Sequence, residues 1–200
     1  MSLRALFPTL VHVAPLRRQG TRALNNRLLR ECEQIRHDDV AGQRWSARNY
    51  PGGYTSYGSL HRLHLQTEGF AALGRLIDRH VRRYVAALDL DLDGRKLAMT
   101  DCWINVMGQH AVHGLHLHPL ATISGTYYLR TPAGAPGLKL EDPRLDRFMA
   151  APPRRGAASW VTVPARAGQL VLFESWLRHE VPMHRGTGER VSVSFNYHSS

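Results

Sequence analysis

Apolar residues recur at helical spacing twice in the first half of the chain and at strand spacing throughout the second. In TRALNNRLLRECEQIRHDD, Leu24, Leu28, Leu29, Cys32 and Ile35 form one stripe, the three-and-four recurrence of an amphipathic helix. TEGFAALGRLIDRHVRRYVAALDL repeats the pattern with Phe70, Leu73, Leu76, Ile77, Val81, Tyr84 and Val85. Thr67, followed by Glu68, marks where that helix starts, because a hydroxyl can cap the first free amides and a carboxylate suits the first turn. Between the two, NYPGGYTSYGS reads as loop from its Gly, Pro, Asn and Ser content.

From about Lys96 the period changes. KLAMTDCWINVMG, GLHLHPLA, TISGTYYLR, LKLED, SWVTVPAR, QLVLFESW and RVSVSFNYH are short, rich in β-branched and aromatic residues, and separated by Gly and Pro. Short strands at such intervals predict a sandwich or barrel. The last segment is the clearest: Val191, Val193, Phe195 and Tyr197 alternate with Arg190, Ser192, Ser194 and Asn196, so one face is apolar and the other polar. The pattern predicts a mainly β fold with a helical preface, a jelly roll of the double-stranded β-helix or cupin-like kind with its N-terminal helices packed outside. An immunoglobulin-like sandwich would not explain why histidines collect on one strand. The whole chain, 1–200, reads as one domain, with residues 1–95 mostly helical and 96–200 the jelly-roll core. The stretch DPRLDRFMAAPPRRGAAS, 142–159, is long for a loop and carries Phe148 and Met149; it is expected to be a lid.

Composition narrows the function classes. Two hundred residues suit a single core that needs no disulfide staples. The only cysteines, Cys32 and Cys102, are too few for a disulfide framework, so a reducing, cytoplasmic setting is expected. The N-terminal run is broken by Pro8 and His12 and does not read as a secretory leader, and no segment is apolar for the roughly 20 residues of a membrane span. The net charge of +10 comes from 24 Arg and 2 Lys scattered along the chain. Scatter is not the clustered basic face of a nucleic-acid binder, so nucleic acid is the less favoured partner and a small-molecule or peptide substrate, anionic in the first instance, the more favoured. The oligomeric state stays open, with a homodimer as the reading carried.

HAVHGLHLHPL, 110–120, places His110, His113, His116 and His118 within nine positions. Residues two apart on a strand share a face, so His116 and His118 are expected to project together, with Leu115 and Leu117 turned into a core. Two imidazoles on one strand can share a metal ion, although an isolated pair can equally be solvent-facing. His179 in FESWLRHEVP offers a third ligand, and Arg190 and Ser192 follow on the closing strand. A mononuclear iron oxygenase that uses 2-oxoglutarate needs this order: three facial ligands with open positions beside them, then a guanidinium fork for the far carboxylate. Ser192, on the face of Arg190, would add a hydrogen bond.

WINVMGQHAVHGLHLHPLATISGTYYLRTP, GLKLEDPR and QLVLFESWLRHEVPMHRGTGERVSVSFN resemble the blocks of a small bacterial and phage group of 2-oxoglutarate/Fe(II)-dependent oxygenases. The resemblance covers residues 95–197 well and the helical half weakly. It implies Fe(II) as metal and 2-oxoglutarate as co-substrate, with His116, His118 and His179 on the metal positions and Arg190 on the co-substrate carboxylate. It departs from the wider superfamily at His118, where an Asp or Glu usually stands. Three neutral imidazoles leave the ion's charge to be offset by the co-substrate or another anion. The departure also leaves open a ligand set in which His113 or His110 takes a place.

Other polar residues are placed by alternation. Trp103 and Asn105 share one strand face, Ser124, Thr126 and Tyr128 another; Asn105 and Tyr128 are the further candidates for contacting the co-substrate. His184 is expected in a turn, and Arg144, Arg147, Arg154 and Arg155 in the lid would favour an anionic substrate. Two rival readings remain: a cupin-like three-histidine dioxygenase that does not use 2-oxoglutarate, and a non-catalytic module binding metal, anions or nucleic acid. The direction of Arg190 separates the first rival from the leading reading.

Overall fold

The computed structural model describes residues 2–4, 6–149, 152 and 159–199. Ten strands form two antiparallel sheets. The larger contains, in spatial order, β1 (His12–Pro15), β8 (Gln169–Glu174), β5 (Ile123–Arg130), β10 (Arg190–Ser199), β3 (Leu97–Met107) and β2 (Gly53–Thr55). The smaller runs β4 (His113–His116), β9 (His179–Val181), β6 (Leu138–Glu141), β7 (Trp160–Val163). Helices α1 (Thr21–Asp38), α2 (Val40–Asn49) and α3 (Glu68–Leu88) belong to the first half of the chain.

The expected division of β10 is what organises the core. Val191, Val193, Phe195 and Tyr197 join Leu28, Cys32, Phe70, Leu73, Ile77, Val81 and Tyr84 of the helices in one buried cluster. The helices therefore cover the outer face of the large sheet, as the pattern predicts. The opposite residues of β10 turn inward, toward the smaller sheet. Alternation on β3 and β5 follows suit: Cys102, Ile104, Val106, Ile123, Tyr127 and Leu129 pack under the helices, while Met107 and Tyr128 join an inter-sheet cluster with Val171, Phe173, Leu138, Leu140 and Val181. Gly125 gives Phe195 room, since a Cβ there would come within 2.5 Å of the Phe195 ring and 2.6 Å of the Val171 carbonyl oxygen.

Both helices read from periodicity are present within a residue or two, and the Thr67 hydroxyl accepts a hydrogen bond from the Phe70 amide at 3.2 Å. Besides a short 3₁₀ turn, Leu63–Leu65, three elements of the first half were not anticipated. α2 follows α1 almost without a gap and has no continuous apolar stripe in VAGQRWSARN; its start is fixed by Asp39, whose side chain accepts from the Gly42 amide. β1 and β2 are short edge strands of the large sheet, and β2 lies inside the segment read as loop. Three residues are too few to show a period, and pairing with β3 through Gly53–Met107, Tyr54–Val106 and Thr55–Asn105 creates the strand. No helix among the described residues is long and apolar enough to cross a membrane.

The 142–159 segment contains a short 3₁₀ turn, Leu145–Met149. Arg144 and Arg147 there both pair with Asp142, at 2.9 and 2.6 Å. The one Asp142 carboxylate thus offsets part of the charge that the two arginines bring to this segment. Arg154 and Arg155 lie outside the described residues.

Phe195, fully buried between helices and sheet, reports on this core. Phe195→Ala is expected to destabilise the protein by about 3–5 kcal/mol, read as a lowered urea midpoint with little change in the slope of the transition.

Candidate metal centre

His116 and His179 are direct cross-strand partners in the β4–β9 ladder, and their ring centroids lie 4.3 Å apart. His118 completes the group at 5.3 Å from the His116 ring and 5.1 Å from that of His179. One ligand atom from each lies within 4.8 Å of the other two. Register in the small sheet thus brings together two residues 63 positions apart in sequence.

The way His118 arrives differs from expectation. β4 ends at His116, and its pairing is irregular between His113 and His116. His118 stands beyond the strand, with its amide donating to the Ser175 carbonyl at 3.0 Å, and Leu117 is 42% exposed at the cavity edge instead of buried in the core. Strict alternation fails because the ladder is interrupted and Pro119, which has no amide proton, follows at once.

Each imidazole is oriented by one oxygen. His116 Nδ1 contacts the Gly114 carbonyl at 2.7 Å, His179 Nδ1 the Leu177 carbonyl at 2.8 Å, and His118 Nδ1 the Asn196 Oδ1 at 2.7 Å. A carbonyl can only accept, so Nδ1 carries the hydrogen and Nε2 keeps its lone pair for a metal. Asn196 is itself fixed: its Oδ1 also accepts from Ser124 Oγ at 2.8 Å, and Ser124 Oγ lies 2.7 Å from Ser175 Oγ. The donor chemistry therefore fits a divalent ion of the iron or zinc type.

Burial disfavours protonation of two of the rings, His118 and His179. It lowers His118 to about 4, with His116 close by adding to the effect, and lowers His179 to about 3, again helped by His116. His113 is pushed down to about 3 by burial and by Arg190. It packs edge-on against Tyr50, with centroids 4.4 Å apart.

The three histidines open on a cavity of about 300 Å³ lined also by His113, Asn105, Thr126, Arg190, Ser192, Ser194 and Asn196. Among the described residues no Asp or Glu lines it. Arg190 is only 3% exposed; its Nε donates to the Pro136 carbonyl at 3.1 Å and one Nη to Ser192 Oγ at 3.3 Å. Among the described residues it makes no salt bridge. A buried cation left without a counter-ion is costly unless a ligand brings one. The guanidinium lies over the Tyr128 ring at 4.9 Å, and the hydroxyls of Tyr128 and Tyr50 are both buried without a hydrogen-bond partner. Burial raises both phenols and the nearby Arg190 opposes the rise, so both are neutral donors at ordinary pH.

Of the anticipated residues, Arg190, Ser192 and Asn105 line the cavity with the three histidines, and Tyr128 lies beside Arg190. Asn105 donates to Ser194 Oγ at 3.0 Å and leaves its own Oδ1 unpartnered. His110 is exposed with a left-handed backbone. His184 is buried in a turn, its Nε2 2.6 Å from the Gly188 carbonyl. Tyr50 was missed, because a lone tyrosine in a Gly- and Pro-rich segment carries no periodic signal.

Residues 101–196 match the family model described as "Putative 2OG-Fe(II) oxygenase". No curated protein sequence matches the chain. Among solved structures, HygX from Streptomyces hygroscopicus, crystallised with nickel and 2-oxoglutarate, is similar with a TM-score of 0.65 at 15% identity, over 95% of this chain and 83% of HygX. A Pseudomonas putida prolyl-4-hydroxylase gives 0.65 at 20% identity, over 96% and 94%. The viral collagen prolyl hydroxylase of Paramecium Bursaria Chlorella virus-1 gives 0.56 at 11%, over 95% and 96%. At these identities the likeness concerns the fold, a double-stranded β-helix.

Metal-free protein should lose stability in acid. The unfolded chain's imidazoles titrate near 6.5, whereas folded His113, His118 and His179 titrate only near 3 to 4. Between those values the unfolded chain binds more protons. Stability complete above about pH 6.5 is therefore lost as pH falls toward 4, by up to roughly 1.4 kcal/mol per pH unit per group. Urea midpoints near pH 7 and about pH 5 check this; equal midpoints would contradict it.

Proposed function

We infer that this chain, a member by its β half of the 2-oxoglutarate/Fe(II) oxygenase family, is an oxygenase whose metal is held by His116, His118 and His179 and whose co-substrate carboxylate is held by Arg190. The observation that carries the reading is Arg190 itself: buried, without a carboxylate partner among the described residues, and lining the same cavity as the three histidines. A cupin-like site that binds its substrate on the metal alone would have no use for a buried guanidinium at that place. Iron(II), when bound with 2-oxoglutarate, supplies the chemistry that couples oxidative decarboxylation of the co-substrate to oxidation of a C–H bond.

The chain's own residues do the binding and orienting. Gly114, Leu177 and Asn196 hold the three rings in the tautomer that presents Nε2. In the same cavity Arg190 offers charge and a planar fork and Ser192 a hydroxyl, and near Arg190 Tyr128 and Tyr50 carry buried hydroxyls with no partner among the described residues. These groups suit one end of a small dicarboxylate. Asn105 Oδ1 remains an acceptor on the substrate side. Because no Asp or Glu among the described residues lines the cavity, the dianion would also supply the negative charge that the usual carboxylate ligand gives elsewhere. Metal and co-substrate should then strengthen each other's binding by the same factor.

Three experiments test the reading. Under anaerobic conditions, adding 2-oxoglutarate to the Fe(II)-loaded protein should produce a weak visible charge-transfer band; iron bound without that band would reject the mechanism. Arg190→Leu should weaken 2-oxoglutarate binding by about 10- to 100-fold, the equivalent of roughly 1.5–3 kcal/mol for a lost charged hydrogen bond. Titration calorimetry should show metal binding retained in that variant. A double variant, His116→Ala with His179→Ala, should hold no stoichiometric iron.

A further inference from the structure

One wall of the cavity has no part in holding metal or co-substrate. It is built from Trp45 on α2, Tyr57 just after β2, and Trp103 on β3. Trp103 is buried at 6% exposure and stacks on His118, with centroids 5.8 Å apart and planes 29° from parallel. Tyr57 lies 4.9 Å from Trp103. Trp45 and Tyr57 remain 43% and 52% exposed. An aromatic path thus runs from the half-exposed Tyr57 through Trp103 to a metal-site histidine, and Trp45 lines the same cavity.

This surface is held rigid by buried polar groups. Asp39, 7% exposed, accepts hydrogen bonds from the Gly42 amide, from Tyr54 Oη at 2.8 Å and from Ser59 Oγ at 2.5 Å. Ser46 Oγ accepts from the Thr55 amide at 3.0 Å, and Ser56 Oγ from the Ile104 amide at 3.1 Å. These bonds fasten α2 and the turn after β2 to each other and to β3. Two large aromatic side chains are therefore presented to solvent on a fixed frame, where a ligand that covers them removes apolar surface from water. A ligand that meets a preorganised surface loses little ordering entropy.

Charge selects the class of ligand. Among the described residues Arg190 is the only Arg, Lys, Asp or Glu in the cavity lining, and in the function proposed above it holds the co-substrate. A carboxylate or phosphate entering along the aromatic wall would lose its hydration and find no cationic partner. An ammonium group could use the ring faces, but Arg190 and a divalent ion in the same cavity would repel it. A cavity of about 300 Å³, at the small end for ligand pockets, leaves space beside a co-substrate for about one ring.

We propose that Trp45, Tyr57 and Trp103 form the primary-substrate subsite, and that it takes an uncharged, ring-bearing group, either a small molecule or one ring projecting from a larger one. The assignment of this surface to the substrate rests on the function proposed above; its preference for a neutral ring rests on the wall alone. Trp45 and Tyr57 set specificity, and both come from the helical half of the chain.

The test uses protein loaded with Zn(II) and 2-oxoglutarate, with its four tryptophan indole N–H resonances observed by NMR. The probes are benzyl alcohol, benzoate and benzylammonium, alike in size and different in charge. Benzyl alcohol should shift the Trp45 and Trp103 resonances saturably and leave Trp160 and Trp176 in place. Benzoate and benzylammonium should bind about tenfold more weakly, as should benzyl alcohol to Trp45→Ala and Tyr57→Ala, a loss of roughly 1.4 kcal/mol. Trp45→Phe, which keeps a ring, should restore most of the affinity and guards against a folding defect. Equal shifts at all four tryptophans, no saturable shift at Trp45 and Trp103, or a charged probe binding as tightly as the alcohol would overturn the proposal. Calorimetric titration of 2-oxoglutarate separates the two readings: failure to bind it, with the benzyl alcohol shifts intact, would count against the oxygenase reading and leave the subsite standing.

Discussion

The two-residue period of β10 is the constraint on which the rest of the molecule depends. Val191, Val193, Phe195 and Tyr197 face the helices and are buried among them, while Arg190, Ser192, Ser194 and Asn196 face the cavity. A slip of one residue would exchange the two sets, placing a guanidinium under the helices and four large apolar side chains around the metal centre. Hydrophobic burial on one face therefore fixes the position of every polar group on the other. Stability and chemistry share the same strand, and the register that secures one secures the other.

Inside the cavity, the decisive quantity is charge. Three imidazoles, one buried guanidinium and, among the described residues, no carboxylate in the lining make an environment that is positive before any ion enters. Burial disfavours protonation of His118 and His179, and the outer oxygens that orient the rings are two peptide carbonyls and an amide. The surroundings are polar but uncharged, so an anionic ligand is the natural complement. In that setting a ligand set with His118 as its third member would differ from one with a carboxylate there in charge more than in shape.

The sequence made the β half legible because its signals are periodic or chemically rare. Alternation on β10, β3 and β5 assigned Arg190, Ser192, Asn105 and Tyr128 to an inward face, and residues 116, 118 and 179 stood out by residue type. The routes by which those residues meet were harder to read. His118 reaches the group from beyond a strand end, through an irregular ladder that alternation cannot represent. Tyr50, Trp45 and Tyr57 come from a helix without a clear stripe and from a Gly-rich turn, and only tertiary pairing with β3 brings that turn to the cavity. The arginines at 144 and 147 looked like free charge because their partner, Asp142, is visible as a partner only once the chain has turned back on itself.

The three histidines do not belong to one sheet. His116 and His179 are paired within the smaller sheet, whereas the ring of His118 is tied through Asn196 to β10 of the larger one. An ion bound by all three would act as a rivet across the open edge of the sandwich. Tension on the two layers, from heat or denaturant, would then be borne by metal–nitrogen bonds as well as by packing. Loss of the ion would loosen the mouth before the helix-covered core. The reactive centre would thus double as the fastening that keeps the layers in register at their least hydrophobic point.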